Sequence, residues 1–184
     1  MPNRLAAASV LLLAAFAPFE IIRPILKLPG QAITNLEALL LLTVGTWAIA
    51  LMATRGRPPL EAPVALAWLA FVGTSALAAA LAPAERVNAW HMTGRLMASA
   101  TVFLLTVDGM TTPARLRAAL AVSVVTGVIV ATFAVLEYWQ VEPVLTWLRA
   151  FRPGLTNVGS QVRSSGTLLY PTIASMYLEI VFAF

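Results

Sequence analysis

The chain has 184 residues, 60% hydrophobic and only 11% charged, with a mean hydropathy of +0.85. A soluble domain carries about a quarter charged residues, so this charge cannot cover a water-facing surface, and the apolar excess has to face lipid. The net charge of +4 comes from basic residues scattered between hydrophobic runs, which fits arginines at membrane edges and excludes a block for nucleic acid.

The absence of cysteine excludes disulfides, thiolate nucleophiles and cysteine-ligated metal. The expected fold is all-α: a polytopic transmembrane helical bundle of about six spans, each needing about 20 apolar residues. The first runs from Leu5 to about Leu26, interrupted late by Glu20 and Arg23. Its Ala15-Phe16-Ala17 resembles a signal-cleavage site, but Pro18 comes directly after it and the apolar pattern continues, so the segment reads as a span. After the turn-rich Leu28-Pro29-Gly30, a second span covers 36–53, with Thr34 and Asn35 placed to cap it. The third covers 63–82, a more polar fourth 88–107, and a fifth 116–136. A long connection, 138–167, leads to a sixth, 168–184. Since the chain stops inside that last run, it is expected to be the N-terminal part of a longer polytopic protein.

Basic residues set the orientation. With the N-terminus in the cytoplasm, the inner short loops carry Arg4, Arg55, Arg57, Arg115 and Arg117, against Lys27 and Arg86 in the outer ones. The connection 138–167 then lies outside, with Arg149, Arg152 and Arg163.

Ionisable groups inside a membrane are costly and call for a reason. In the fourth span Asn88, His91, Arg95 and Ser99 recur at helical spacing and form one polar stripe. Either the stripe lines a cavity open to the outer side, or His91 and Arg95 lie near the interface with Arg95 snorkelling to water. His91 is the only histidine, so a histidine-cluster metal site is excluded. Glu179 lies about 16 Å into the sixth span by helix rise, where a carboxylate calls for neutralisation or a partner such as an arginine or Tyr177.

The connection 138–167 carries the densest signals. Val144 to Phe151 reads as a short amphipathic helix anchored at the interface by Trp147. Arg149, Arg152 and Arg163 face one acid, Glu142. Arginine suits bidentate phosphate binding, and Ser164, Ser165 and Thr167 supply donors near a helix start, where the dipole also favours an anion. An ordinary solvated loop ending in a helix cap fits the same residues.

The stretch Arg163-Ser-Ser-Gly166-Thr167-Leu-Leu-Tyr170-Pro171-Thr-Ile-Ala174-Ser-Met-Tyr177-Leu178 resembles the signature of the O-antigen ligase and polymerase-like (Wzy-type) membrane proteins. The likeness is sequence-specific over this stretch and loose elsewhere. Thr172 stands where many members carry asparagine, which leaves ligase and polymerase both open. The resemblance implies a metal-free glycosyltransferase, without cofactor, at the outer face of a bacterial cytoplasmic membrane. Its partners would be a polyprenyl-diphosphate-linked glycan and a lipid, polysaccharide or protein acceptor. Arg163 is the match for the diphosphate, neutralising charge on the leaving group, with Arg149 and Arg152 as weaker candidates. The family's catalytic histidine comes from a later loop, so these 184 residues alone are expected to be inactive. No motif assigns a family role to His91 or Arg95, which with Glu179 are candidates for lining a cavity.

The competing class is a non-enzymatic polytopic protein, such as a small transporter or permease subunit. Pro18, Pro24 and Pro171 would interrupt helices as transporters do, but the two halves show no convincing repeat. No phosphate-binding glycine loop, zinc-ligand pair or nucleophile elbow is present.

Overall fold

The computed structural model describes residues 2–28, 31–54, 63–154, 156–158 and 161–183. Arg55, Arg57 and the Pro29-Gly30 turn lie outside them. Seven helices and two β-hairpins make up the described residues: α1 (Pro2–Phe16), β1 (Leu26–Leu28), β2 (Gln31–Ile33), α2 (Asn35–Thr54), α3 (Pro63–Leu81), α4 (Arg86–Gly109), α5 (Pro113–Tyr138), α6 (Glu142–Leu148), β3 (Thr156–Val158), β4 (Gln161–Arg163) and α7 (Pro171–Phe182). The chain divides into two compact units. Unit 1 comprises Met1–Val10 and Thr43–Pro113, and unit 2 comprises Leu11–Leu42 and Ala114–Phe184.

Among the described residues three helices, α2, α3 and α5, are long and apolar enough to cross a membrane. Only 11 to 17% of their most apolar windows is buried within the fold. Side chains such as Leu41, Ile49, Leu77 and Val125 point outward, an arrangement stable in lipid and costly in water. The chain is a membrane protein. Of the six expected spans these three are met. Helix α4 has the length, 24 residues, but carries the polar stripe. The remaining two are shorter apolar helices.

The first run differs from expectation for a definite reason. Helix α1 ends at Phe16 because Pro18 has no N–H to continue the ladder and its ring clashes with the preceding turn. Beyond the proline come a turn and the β1–β2 hairpin, in which Leu26 pairs with Ile33. The last helix likewise starts at Pro171 rather than Leu168, with proline at its first turn, where a missing N–H costs nothing. Its 12 residues reach about 18 Å, short of a hydrocarbon core of about 30 Å.

In unit 1, α3 and α4 pack on each other. The buried residues of α3 recur every seven positions, Ala65, Val72 and Ala79, and α4 buries Thr93 and Ala100 at the same spacing, then Leu105 and Gly109. Small residues at that period let helix backbones approach closely in lipid. The Thr93 hydroxyl donates to the Ala89 carbonyl of its own helix (3.0 Å) and lies 3.3 Å from the Ser75 carbonyl of α3. Polar contacts recur in this unit: Ser9 and Thr46 share a hydroxyl hydrogen bond of 2.9 Å, and Trp47 Nε1–H donates to Asp108 at 2.7 Å.

In unit 2, α6, α7 and the loop before α7 all touch α5. Helix α7 lies against it where Gly127 leaves room: a Cβ there would stand 2.5 Å from a Val181 methyl carbon. Beside that contact Thr126 and Tyr177 share a hydroxyl hydrogen bond of 3.0 Å. The start of α2 is fixed by a capping box. The Thr34 N–H donates to the Glu37 carboxylate (2.8 Å) and the Glu37 N–H to the Thr34 hydroxyl (3.3 Å). Asn35 does not cap; its side-chain amide donates to the Phe19 carbonyl and accepts from the Ile21 N–H, holding the segment after α1.

Helix α5 ends in a Schellman turn. The Gln140 N–H bonds the Glu137 carbonyl, and the Val141 N–H the Leu136 carbonyl, with Gln140 left-handed at φ 54°. That conformation is unfavourable for a non-glycine residue. Gln140→Gly is expected to stabilise the protein by about 1 kcal/mol, read as a raised midpoint of thermal unfolding in detergent. The turn sends α6 back along α5, where the Trp147 ring stacks on Phe133 (centroids 4.7 Å, planes 16° apart) and leans on Phe151. The short helix expected over 144–151 is thus present at Glu142–Leu148, and Trp147, still about half exposed, is also a packing residue.

Candidate functional site

The segment around Arg163 is built from below by one buried ion pair. Glu137, in the last turn of α5, is fully buried, and Arg152, in the turn after α6, is 2% exposed. Arg152 Nη2 meets Glu137 Oε1 at 2.5 Å, and Nη1 donates to the Ser165 hydroxyl at 2.7 Å. The other carboxylate oxygen, Oε2, accepts the backbone N–H groups of Ser165 (3.0 Å) and Gly166 (2.9 Å). A buried ion pair is tolerable only when further hydrogen bonds satisfy its lone pairs and protons, and here three of them do so.

Two further contacts lock this loop. Gly166 is left-handed at φ 58° and lies so close to α5 that a Cβ would come within 2.8 Å of the Val130 carbonyl oxygen. The Thr167 hydroxyl, buried, donates to the Pro18 carbonyl at 2.7 Å. The loop's conformation is therefore dictated by α5, α6 and the end of α1 together. Ser164, by contrast, has a buried hydroxyl without a hydrogen-bond partner among the described residues, as does Nε of Arg152.

Around this node lie arginines of a different kind. Arg149 and Arg163 are exposed, Arg163 on strand β4 opposite Thr156. Arg149 and Arg152 line a cavity of about 370 Å³ with Leu145, Leu148, Pro153 and Gly154. A second cavity of about 270 Å³ is lined by Ile21, Arg23, Arg149 and Ala150. The Ile22 N–H donates to the Ala150 carbonyl at 3.1 Å, which brings Arg23 and Arg149 to neighbouring positions.

Arg152 is engaged with Glu137 and Ser165, so its guanidinium supports the loop, with only Nε left over. The loop's N–H donors near Ser165 are likewise taken: the anion they hold is the chain's own Glu137 carboxylate, and the helix begins only at Pro171. Glu179 is exposed on α7 and forms no ion pair among the described residues, while Tyr177 bonds Thr126 instead. His91, Arg95 and Ser99 are exposed on α4 in unit 1, the Ser99 hydroxyl bonding the Arg95 carbonyl of its own helix. Of the expected site residues, the structure joins Arg149 to Arg152 in one cavity, and Arg163 lines neither cavity.

Sequence reasoning missed Glu137 and Arg23 as members of the site. Glu137 had a signal: it is an acid at the end of a long apolar run, and such a residue needs a partner. Arg23 gave only its position after Pro18. Comparison with protein-family models, with curated proteins and with solved structures gives no match.

Proposed function

We propose that this membrane protein is a glycosyltransferase of the O-antigen ligase-like type. It would move a glycan from a polyprenyl-diphosphate carrier to a lipid, polysaccharide or protein acceptor. The observation that supports this reading is the Arg163–Thr167 segment. It combines the signature residues with a buried Glu137–Arg152 support that leaves the Arg163 side chain exposed. An arginine on a rigid support is a suitable group to hold a diphosphate bidentately and neutralise charge on the leaving group. In this reading Arg152 positions the loop, and Arg149 and Arg163 face the ligand.

The same proposal has the chain crossing a bacterial cytoplasmic membrane about six times, with the N-terminus inside and the Arg163 segment on the outer face. Arg115 and Arg117, at the start of α5, would then lie on the cytoplasmic side in keeping with the positive-inside rule.

Arg163→Lys tests the transferase reading, because lysine keeps the charge and loses the planar fork. In membranes supplied with polyprenyl-diphosphate-linked glycan, transfer by the full-length protein is expected to fall at least about tenfold, the equivalent of one charge-assisted hydrogen bond. Wild-type transfer by the lysine variant would remove Arg163 from the diphosphate.

A further inference from the structure

We infer that Arg23 and Arg149 together bind the phosphate of a membrane-lipid headgroup. The site is assembled from two chain segments far apart in sequence. The backbone hydrogen bond from Ile22 to Ala150 fastens the turn after α1 to the turn after α6. Arg23 comes one position after the first partner and Arg149 one before the second, and both line the same 270 Å³ cavity. Each arginine carries about five N–H donors. Among the described residues no carboxylate lines this cavity and neither arginine forms an ion pair.

Two arginines that line one cavity suit a phosphate, whose oxygens match the planar fork of each.

The surroundings select a lipid over a soluble anion. Ile22, Ile25 and Leu26 lie beside Arg23 in the chain and are exposed, as is Trp147, two residues before Arg149. Apolar side chains beside arginines, with an aromatic ring close by in sequence, form the pattern of the membrane interface, where chains rest on apolar groups and headgroups meet cations. Ordinary phospholipid and a polyprenyl-diphosphate carrier share this chemistry. The site does not depend on glycan transfer, so a failed transferase test leaves it standing.

The experiment uses the full chain in phosphatidylcholine nanodiscs, with retained lipid counted by native mass spectrometry. The probes are phosphatidylglycerol and, separately, undecaprenyl diphosphate. Arg23→Gln and Arg149→Gln are each expected to weaken retention of phosphatidylglycerol about tenfold, with partial recovery in the lysine variants. Arg117→Gln, an exposed arginine on α5, should change nothing, and matching thermal midpoints show that the variants fold. Loss confined to undecaprenyl diphosphate assigns the site to the carrier lipid and supports the inference. Retention of both probes at wild-type level in both glutamine variants overturns it.

Discussion

Glu137→Gln is expected to destabilise unit 2 by about 3–5 kcal/mol, the usual consequence of leaving one charge of a buried pair without its partner. The glutamine oxygen can still accept from the Ser165 and Gly166 N–H groups, so the loss isolates the charge on Arg152, which is 2% exposed. A double variant completes the test. Arg152→Met alone leaves a buried carboxylate that keeps its two N–H donors, while Glu137→Gln combined with Arg152→Met leaves no buried charge and still accepts from the loop. The double variant should therefore be more stable than Glu137→Gln alone, with a coupling of at least about 1 kcal/mol between the sites. Thermal unfolding in detergent, read by tryptophan fluorescence, compares the wild type with the two single variants and the double. If the single and double variants unfold at the same temperature, the pair is not what holds the loop.

Gly166→Ala is the second large effect, and it arises from backbone geometry alone. In the left-handed region an L-residue is strained by about 1–2 kcal/mol, and at Gly166, with φ 58°, the added Cβ would also stand 2.8 Å from the Val130 carbonyl oxygen. That oxygen belongs to a buried residue in the middle of α5 and cannot swing away like a side chain, so the loop has to move. A total loss of about 2–4 kcal/mol is expected. The loop would also shift off the Glu137 carboxylate, so Gly166→Ala should weaken the same hydrogen bonds as Glu137→Gln. Combining the two should then cost clearly less than their sum. Full additivity in the same unfolding assay would place Gly166 and Glu137 in separate structural roles.

Different parts of this fold could be read from the sequence to different extents. Helices α2, α3 and α5 were legible because lipid demands a long apolar run and every internal backbone hydrogen bond is local to the helix. The capping box at Thr34 and Glu37 was legible in part, since its three-residue spacing is local, though Asn35 turned out to serve the segment after α1. The end of α1 was not, because one proline outweighed the apolar pattern that continues beyond it. The roles of the three loop arginines were not legible either. Arg149, Arg152 and Arg163 look alike along the chain, yet Arg152 is buried on Glu137 and the other two are exposed.

By itself, then, the sequence determined the solvent of this protein, because composition and hydropathy are sums over residues and need no partner to be evaluated. It also placed the Arg163–Thr167 segment as the stretch richest in chemical groups. Only the tertiary structure decided which groups in that stretch are engaged in folding and which remain for a ligand. The reason is that a charge's role depends on what approaches it within a few ångströms. Glu137 and Ser165, 28 residues apart, meet only once α5 has turned at Gln140 and the chain has come back past α6. Arg23 comes to line one cavity with Arg149 only because the break at Pro18 brings the turn after α1 to Ala150.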